Sequence, residues 1–69
     1  MSDNFTLCAK SHLTKAETSR VMGWTQQSIN NRARREQVDF WDRKTPLTLT
    51  QLTVRNNFLT ALDHENETV

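Results

Sequence analysis

Apolar residues recur at helical spacing in four separate stretches of this chain. In the first, from about Ser2 to His12, Phe5, Cys8, Ala9 and His12 stand at i, i+3, i+4 and i+7, one face of a helix, with Asp3 or Asn4 to cap it. The second opens at Thr14-Lys15-Ala16-Glu17, an S/T-x-x-E capping box. There the Thr hydroxyl accepts from one unpaired backbone N–H and the Glu carboxylate accepts from another. Thr18, Val21 and Met22 share a face behind the box, and Gly23 stands where a helix ends in a left-handed residue.

The third stretch follows at once. Thr25 is a good N-cap, and Gln26 to Glu36 runs on without Gly, Pro or strand-like alternation. On a helical projection Ile29 and Ala33 point one way and Gln27, Asn31 and Arg34 the other. Val38, Phe40 and Trp41 are then expected to return the chain to the core. The fourth stretch opens at Pro46, which breaks what precedes it. Leu47-Thr48-Leu49-Thr50 alternates like a strand, but Leu52, Phe58, Leu59, Ala61 and Leu62 fit one broad helix face. The longer pattern predicts a helix from about Thr50 to His64, capped by Thr50, with residues 65–69 as a frayed acidic tail. The whole reads as a mainly α fold of about four helices in one domain, 1–69. The alternative is an α+β arrangement with a short C-terminal strand pair.

Size and composition narrow the function. A chain of 69 residues with 35% hydrophobic positions buries too little to enclose a catalytic cavity and its supporting shells, so an enzyme is not expected. No apolar run approaches the roughly 18 residues of a membrane span, and the N-terminus carries no signal-peptide pattern. One cysteine, Cys8, makes no internal disulfide. The expectation is a soluble intracellular domain with no membrane partner.

Charge adds a hint. The formal net charge is only +1, but residues 1–44 carry eight Lys/Arg against five Asp/Glu, whereas residues 45–69 carry one against three. A basic first part with an acidic tail suits a polyanion partner, and equally suits an asymmetric solvated surface. Cys8 and His12 at i, i+4 are two zinc-ligand types, but four are needed and His64 is distant in sequence, so no metal or other cofactor is expected. Trp24 and Trp41 lie among apolar neighbours, as packing residues do.

A short capped helix, a Gly turn and a second helix with a polar outer stripe make the helix-turn-helix pattern, whose second helix enters the DNA major groove. Small Ser19 lets the two helices approach, and Met22, Trp24 and Ile29 form the wedge between them. Over residues 14–36 the chain resembles the lambdoid phage repressor and Cro family, with Thr25-Gln26-Gln27-Ser28-Ile29 similar to the start of that family's recognition helix. It departs from the family in having Arg32 at a usually apolar position, no Gly after the recognition helix, a longer interval to Pro46 and an acidic C-terminus. Arg32 can lie at the helix edge and pair with Glu36 at i+4.

The resemblance implies a sequence-specific regulator of phage, prophage or plasmid type. It would act as a homodimer that represses transcription by occluding a double-stranded DNA operator, in the bacterial cytoplasm at the nucleoid and without a small-molecule effector. Gln26 and Gln27 then match base-reading positions, since a Gln amide can donate to N7 and accept from N6 of adenine. Asn31 and Arg34 complete the base-facing stripe. Thr25, Ser28, Arg35, Lys15, Arg43 and Lys44 are the candidates for the sugar–phosphate backbone. Two other readings stay open: an excisionase-like architectural factor, and an anti-repressor or host-inhibitor module in which the amide stripe is incidental.

Overall fold

A computed structural model describes residues 4–67. It is mainly α, with four helices in chain order: α1 (Asn4–Lys10), α2 (Lys15–Met22), α3 (Gln26–Glu36) and α4 (Leu49–Glu67). No strand occurs among the described residues, so the α+β alternative is not adopted. No described helix is long and apolar enough to cross a membrane.

The helix ends show how the sequence fixes the fold. At the start of α2 both halves of the capping box are made: the Thr14 N–H donates to Glu17 Oε1 at 2.8 Å and the Glu17 N–H to Thr14 Oγ1 at 3.2 Å. Gly23 ends α2 in the left-handed region at φ 71°, its N–H donating to the Ser19 carbonyl. A Cβ at Gly23 would meet nothing within 4 Å, so glycine is required by the backbone angle and not by crowding. At the start of α3 the Ser28 N–H donates to Thr25 Oγ1. Gln37, at φ 55°, supplies the left-handed cap that ends α3, its N–H donating to the Ala33 carbonyl.

Three boundaries differ from the sequence reading. α1 ends at Lys10, and His12 takes a left-handed turn at φ 61°, so it leaves the face of Phe5 and Cys8. This turn inserts Leu13, which is fully buried and falls between two helical periodicities in the sequence. The N-terminal cap of α4 is Thr48, not Thr50. The Thr48 N–H donates to Gln51 Oε1 at 2.9 Å and the Gln51 N–H to Thr48 Oγ1 at 3.1 Å, a second reciprocal box with Gln in place of Glu. α4 is helical to Glu67, into the stretch expected to fray. Residues 68 and 69 of that tail lie outside the described residues, as does Asp3, one of the two cap candidates for α1; the other, Asn4, is the first residue of α1.

The core sits where α1, α2 and α3 meet. Phe5, Ile29 and Ala33 form a buried cluster, with Met22, Trp24, Val38 and Phe40 packed against it. The Phe5 ring stacks on Trp24 at 6.0 Å between centroids and meets Phe40 edge-on at 5.2 Å. The wedge of Met22, Trp24 and Ile29 thus forms as expected. Ser19 also acts there, its hydroxyl donating to the Trp24 carbonyl across the turn.

Arg32 occupies the position that an apolar residue would fill. Its guanidinium lies 4.9 Å from the Phe5 ring centroid and 5.4 Å from Trp24, and it pairs with Glu36. The guanidinium lies over both rings of the aromatic pair, and its charge is met by Glu36. The long segment after α3 is anchored by the Trp41 N–H, which donates to the Leu13 carbonyl at 3.0 Å.

α4 is attached differently. It makes no close backbone approach to another helix, and Arg55 ties it to the rest. The guanidinium donates to the His12 carbonyl at 2.8 Å and to both Glu17 carboxylate oxygens, and lies 4.8 Å from the Trp41 ring centroid. Trp41 is therefore half-buried under a cation and not part of the central cluster. The broad apolar face read for α4 is only half-buried at Phe58, Leu59 and Leu62, and Leu52 and Ala61 are exposed.

Candidate nucleic-acid interface

The second helix of the pair presents its polar side to solvent. Ile29 and Ala33 are buried, which orients α3, and Gln26, Gln27, Asn30, Asn31, Arg34 and Arg35 are all exposed. The stripe of Gln27, Asn31 and Arg34 therefore points away from the core, and Gln26 is exposed separately in the first turn of α3. These are side chains able to donate and accept towards base edges, or to donate in a planar fork, on a rigid helix.

The start of α3 is more constrained than the sequence suggested. Thr25 Oγ1 accepts from the Ser28 N–H at 3.2 Å and donates to Ser28 Oγ at 3.1 Å. The Thr25 hydroxyl is committed to capping. At this corner an anion would meet the Ser28 hydroxyl and the first backbone N–H groups of α3, a suitable phosphate seat.

Two grooves flank the stripe. One, of about 970 Å³, runs between the start of α2, the side of α3 and the following loop, and is bordered by Lys15, Asn30, Arg34 and Arg43 among others. The other, of about 380 Å³, lies between Trp24, Ser28, Asn31, Arg32 and Arg35. Lys15 and Arg43, distant in sequence from α3, are thus brought beside it. Arg35 lies on its other flank. Asn30 was missed by the sequence reading; its position one helical turn before Arg34, on the α2 side, was the available signal.

Arg43 and Lys44 are displayed by a tight turn. The Asp42 carboxylate accepts from the Lys44 and Thr45 N–H groups, each at 3.0 Å, and the Trp41 indole N–H donates to the Thr45 carbonyl at 2.7 Å. The two backbone N–H donors hold the Asp42 carboxyl below its ordinary pKa. Arg43 itself takes φ 67°, and both cations are exposed. Arg43 also approaches Glu17 at 3.9 Å, at the margin of that carboxylate's stronger pair with Arg55.

No metal-binding cluster of His, Cys, Asp or Glu occurs among the described residues. Cys8 is fully buried, and His12 has left the helix on which the two would stand one turn apart. Compared with protein-family models, curated proteins and solved structures, the chain matches none.

Proposed function

We propose that this chain is a sequence-specific DNA-binding transcriptional regulator of the lambdoid repressor and Cro type. Its homodimer occludes an operator in double-stranded DNA, in the bacterial cytoplasm at the nucleoid. One observation carries the reading: two capped helices joined at left-handed Gly23, the second exposing Gln27, Asn31 and Arg34 along one face and Gln26 at its N-terminal end. Gln26, Gln27 and Asn31 read base edges, and Arg34 reaches a base or a phosphate at the far end of the helix. Ser28, Arg35, Lys15, Arg43 and Lys44 hold the sugar–phosphate strands on either side, with Thr25 supporting that corner as a cap. Two modules on half-sites a turn apart roughly add their binding free energies, which is the advantage of a dimer with so few base contacts per copy.

The test is selection from a random duplex pool at about 150 mM salt, where purely electrostatic binding is weak. An enriched inverted repeat with half-sites about one helical turn apart is the expected outcome; no enrichment overturns the proposal. A second reading, an excisionase-like architectural factor, is favoured by the basic turn at Arg43 and Lys44, a contact element outside the two-helix unit. It expects tandem direct repeats and strong bending.

A further inference from the structure

The inner side of α4 is occupied: Arg55 is drawn to Glu17, His12 and Trp41. The flank next to it carries a different pattern. Leu49, Leu52, Asn56, Leu59 and Asp63 recur three and four residues apart, the spacing of a coiled-coil seam. Leu49 is 81% exposed and Leu52 39%, Asn56 and Asp63 are exposed, and Leu59 is half-buried. Single exposed leucines are ordinary, but a seam of them along a helix is not. No residue of α4 from 49 to 64 is fully buried, and a helix draws most of its stability from a packed face.

From this we infer that this flanking seam of α4 is the docking surface for a second copy of this chain, paired antiparallel about a two-fold axis at Asn56. A two-fold interface must be self-complementary, and the residue on the axis meets its own copy. Asn56 is the midpoint of the seam, and an amide both donates and accepts, so it can pair with itself where a charged side chain would repel its copy. Leu52 and Leu59 flank it on either side.

Charge selects the antiparallel sense. Arg43 and Lys44 precede the N-terminal end of α4, while Asp63 lies towards its C-terminal end. Parallel pairing sets acid beside acid. Antiparallel pairing brings the partner's Asp63 to the N-terminal turn of α4, where the helix dipole favours a carboxylate.

The inference supplies the dimer of the proposed regulator with its interface and in that sense rests on that reading. Its test uses the protein without DNA, so either can fail alone. Sedimentation equilibrium of the full chain over roughly 1 μM to 1 mM spans firm to marginal association. A monomer–dimer equilibrium is expected. Leu52→Glu and Asn56→Asp should each raise its dissociation constant at least about tenfold, with the helical circular dichroism of the wild type retained. Mixing Asn56→Asp with Asn56→Lys should restore the dimer. Oxidation of a mixture of Leu49→Cys and Asp63→Cys chains should join the two variants to each other, since Cys8 is buried and does not compete. A monomer throughout, or a dimer that neither substitution weakens, overturns the inference. Preferential joining of Leu49→Cys to itself overturns the antiparallel sense.

Discussion

Arg55 and Glu17 stand 38 residues apart in sequence and face each other in a two-pronged ion pair, with the two terminal nitrogens of the guanidinium on the two carboxylate oxygens. Glu17 is at the same time the second half of the capping box of α2. One carboxylate therefore closes the start of α2 and ties α4 to it. Both side chains are largely shielded from water, with 12% and 13% relative exposure, so the pair is screened less than a surface bridge.

Removing the cation should accordingly loosen more than one contact. Arg55→Met keeps a long unbranched side chain but leaves the half-buried Glu17 without its main partner. We expect a loss of about 2 kcal/mol of unfolding free energy, below the roughly 3–5 kcal/mol for one side of a fully buried pair because both groups keep some contact with water. Arg55→Lys should recover part of that, because a point charge cannot make the fork. Urea denaturation of the three proteins checks the order.

The same pair sets a pH dependence. The Arg55 hydrogen bonds, with the Thr14 N–H, hold the Glu17 pKa at about 2 against an ordinary 4.5, overcoming the opposing effect of burial. Because the folded value is depressed, this stabilisation is complete above about pH 4.5 and declines as pH falls from there through about 2. Midpoints of thermal unfolding measured from pH 6 to pH 2 should fall across that window. The fall should be shallower in Glu17→Gln, which has no carboxylate to protonate at this position.

Much of this architecture is legible in sequence because it is local. Thr14 with Glu17, Gly23 and Thr25 signal helix ends over three or four residues, and the three-and-four spacing of apolar residues does the same for helix faces. What escapes is non-local. Leu13 is buried because the chain turns at His12, and no window around it shows that. Thr48 and Thr50 look equally good as caps until Gln51 is seen to bond back to Thr48. Arg55 reads as one charge on an apolar helix, and only the packing of α4 near α2 gives it a partner. At the candidate interface the stripe on α3 follows from periodicity, whereas the gathering of Lys15 and Arg43 beside Asn30 and Arg34 requires the loop after α3 to fold back.

Arg32 offers a test of how a charge can serve as packing. Its planar head lies over Phe5 and Trp24, so Arg32→Ala should cost about 1 kcal/mol or more through lost coverage. Arg32→Leu restores an apolar side chain of useful size and should fall within about 1 kcal/mol of the wild type. If alanine and leucine behave alike in chemical denaturation, the stacking contributes nothing measurable.

Gly23 separates conformation from space. Since a Cβ there meets no neighbour, Gly23→Ala should be destabilised by the left-handed backbone alone, about 1–2 kcal/mol. Gly23→Asn should lose less, because a short polar side chain tolerates that region better. Equal losses for alanine and asparagine in thermal unfolding would point to a packing role instead.

The interface itself is tested where stability and binding diverge. Gln26 and Gln27 are exposed and take part in neither the buried cluster nor the helix caps, so Gln26→Ala with Gln27→Ala should change unfolding free energy by no more than about 0.5 kcal/mol. A bidentate amide-to-adenine pair is worth roughly 1–3 kcal/mol of discrimination. Affinity for a selected operator should then fall at least about tenfold at fixed salt, while binding to random duplex hardly changes. Lys15→Ala and Arg43→Ala should act in the opposite manner, weakening operator and random DNA alike and each reducing the slope of log affinity against log salt by about one. Fluorescence anisotropy titrations at several salt concentrations distinguish the two classes. If the amide variants keep full operator affinity, the stripe on α3 does not read bases.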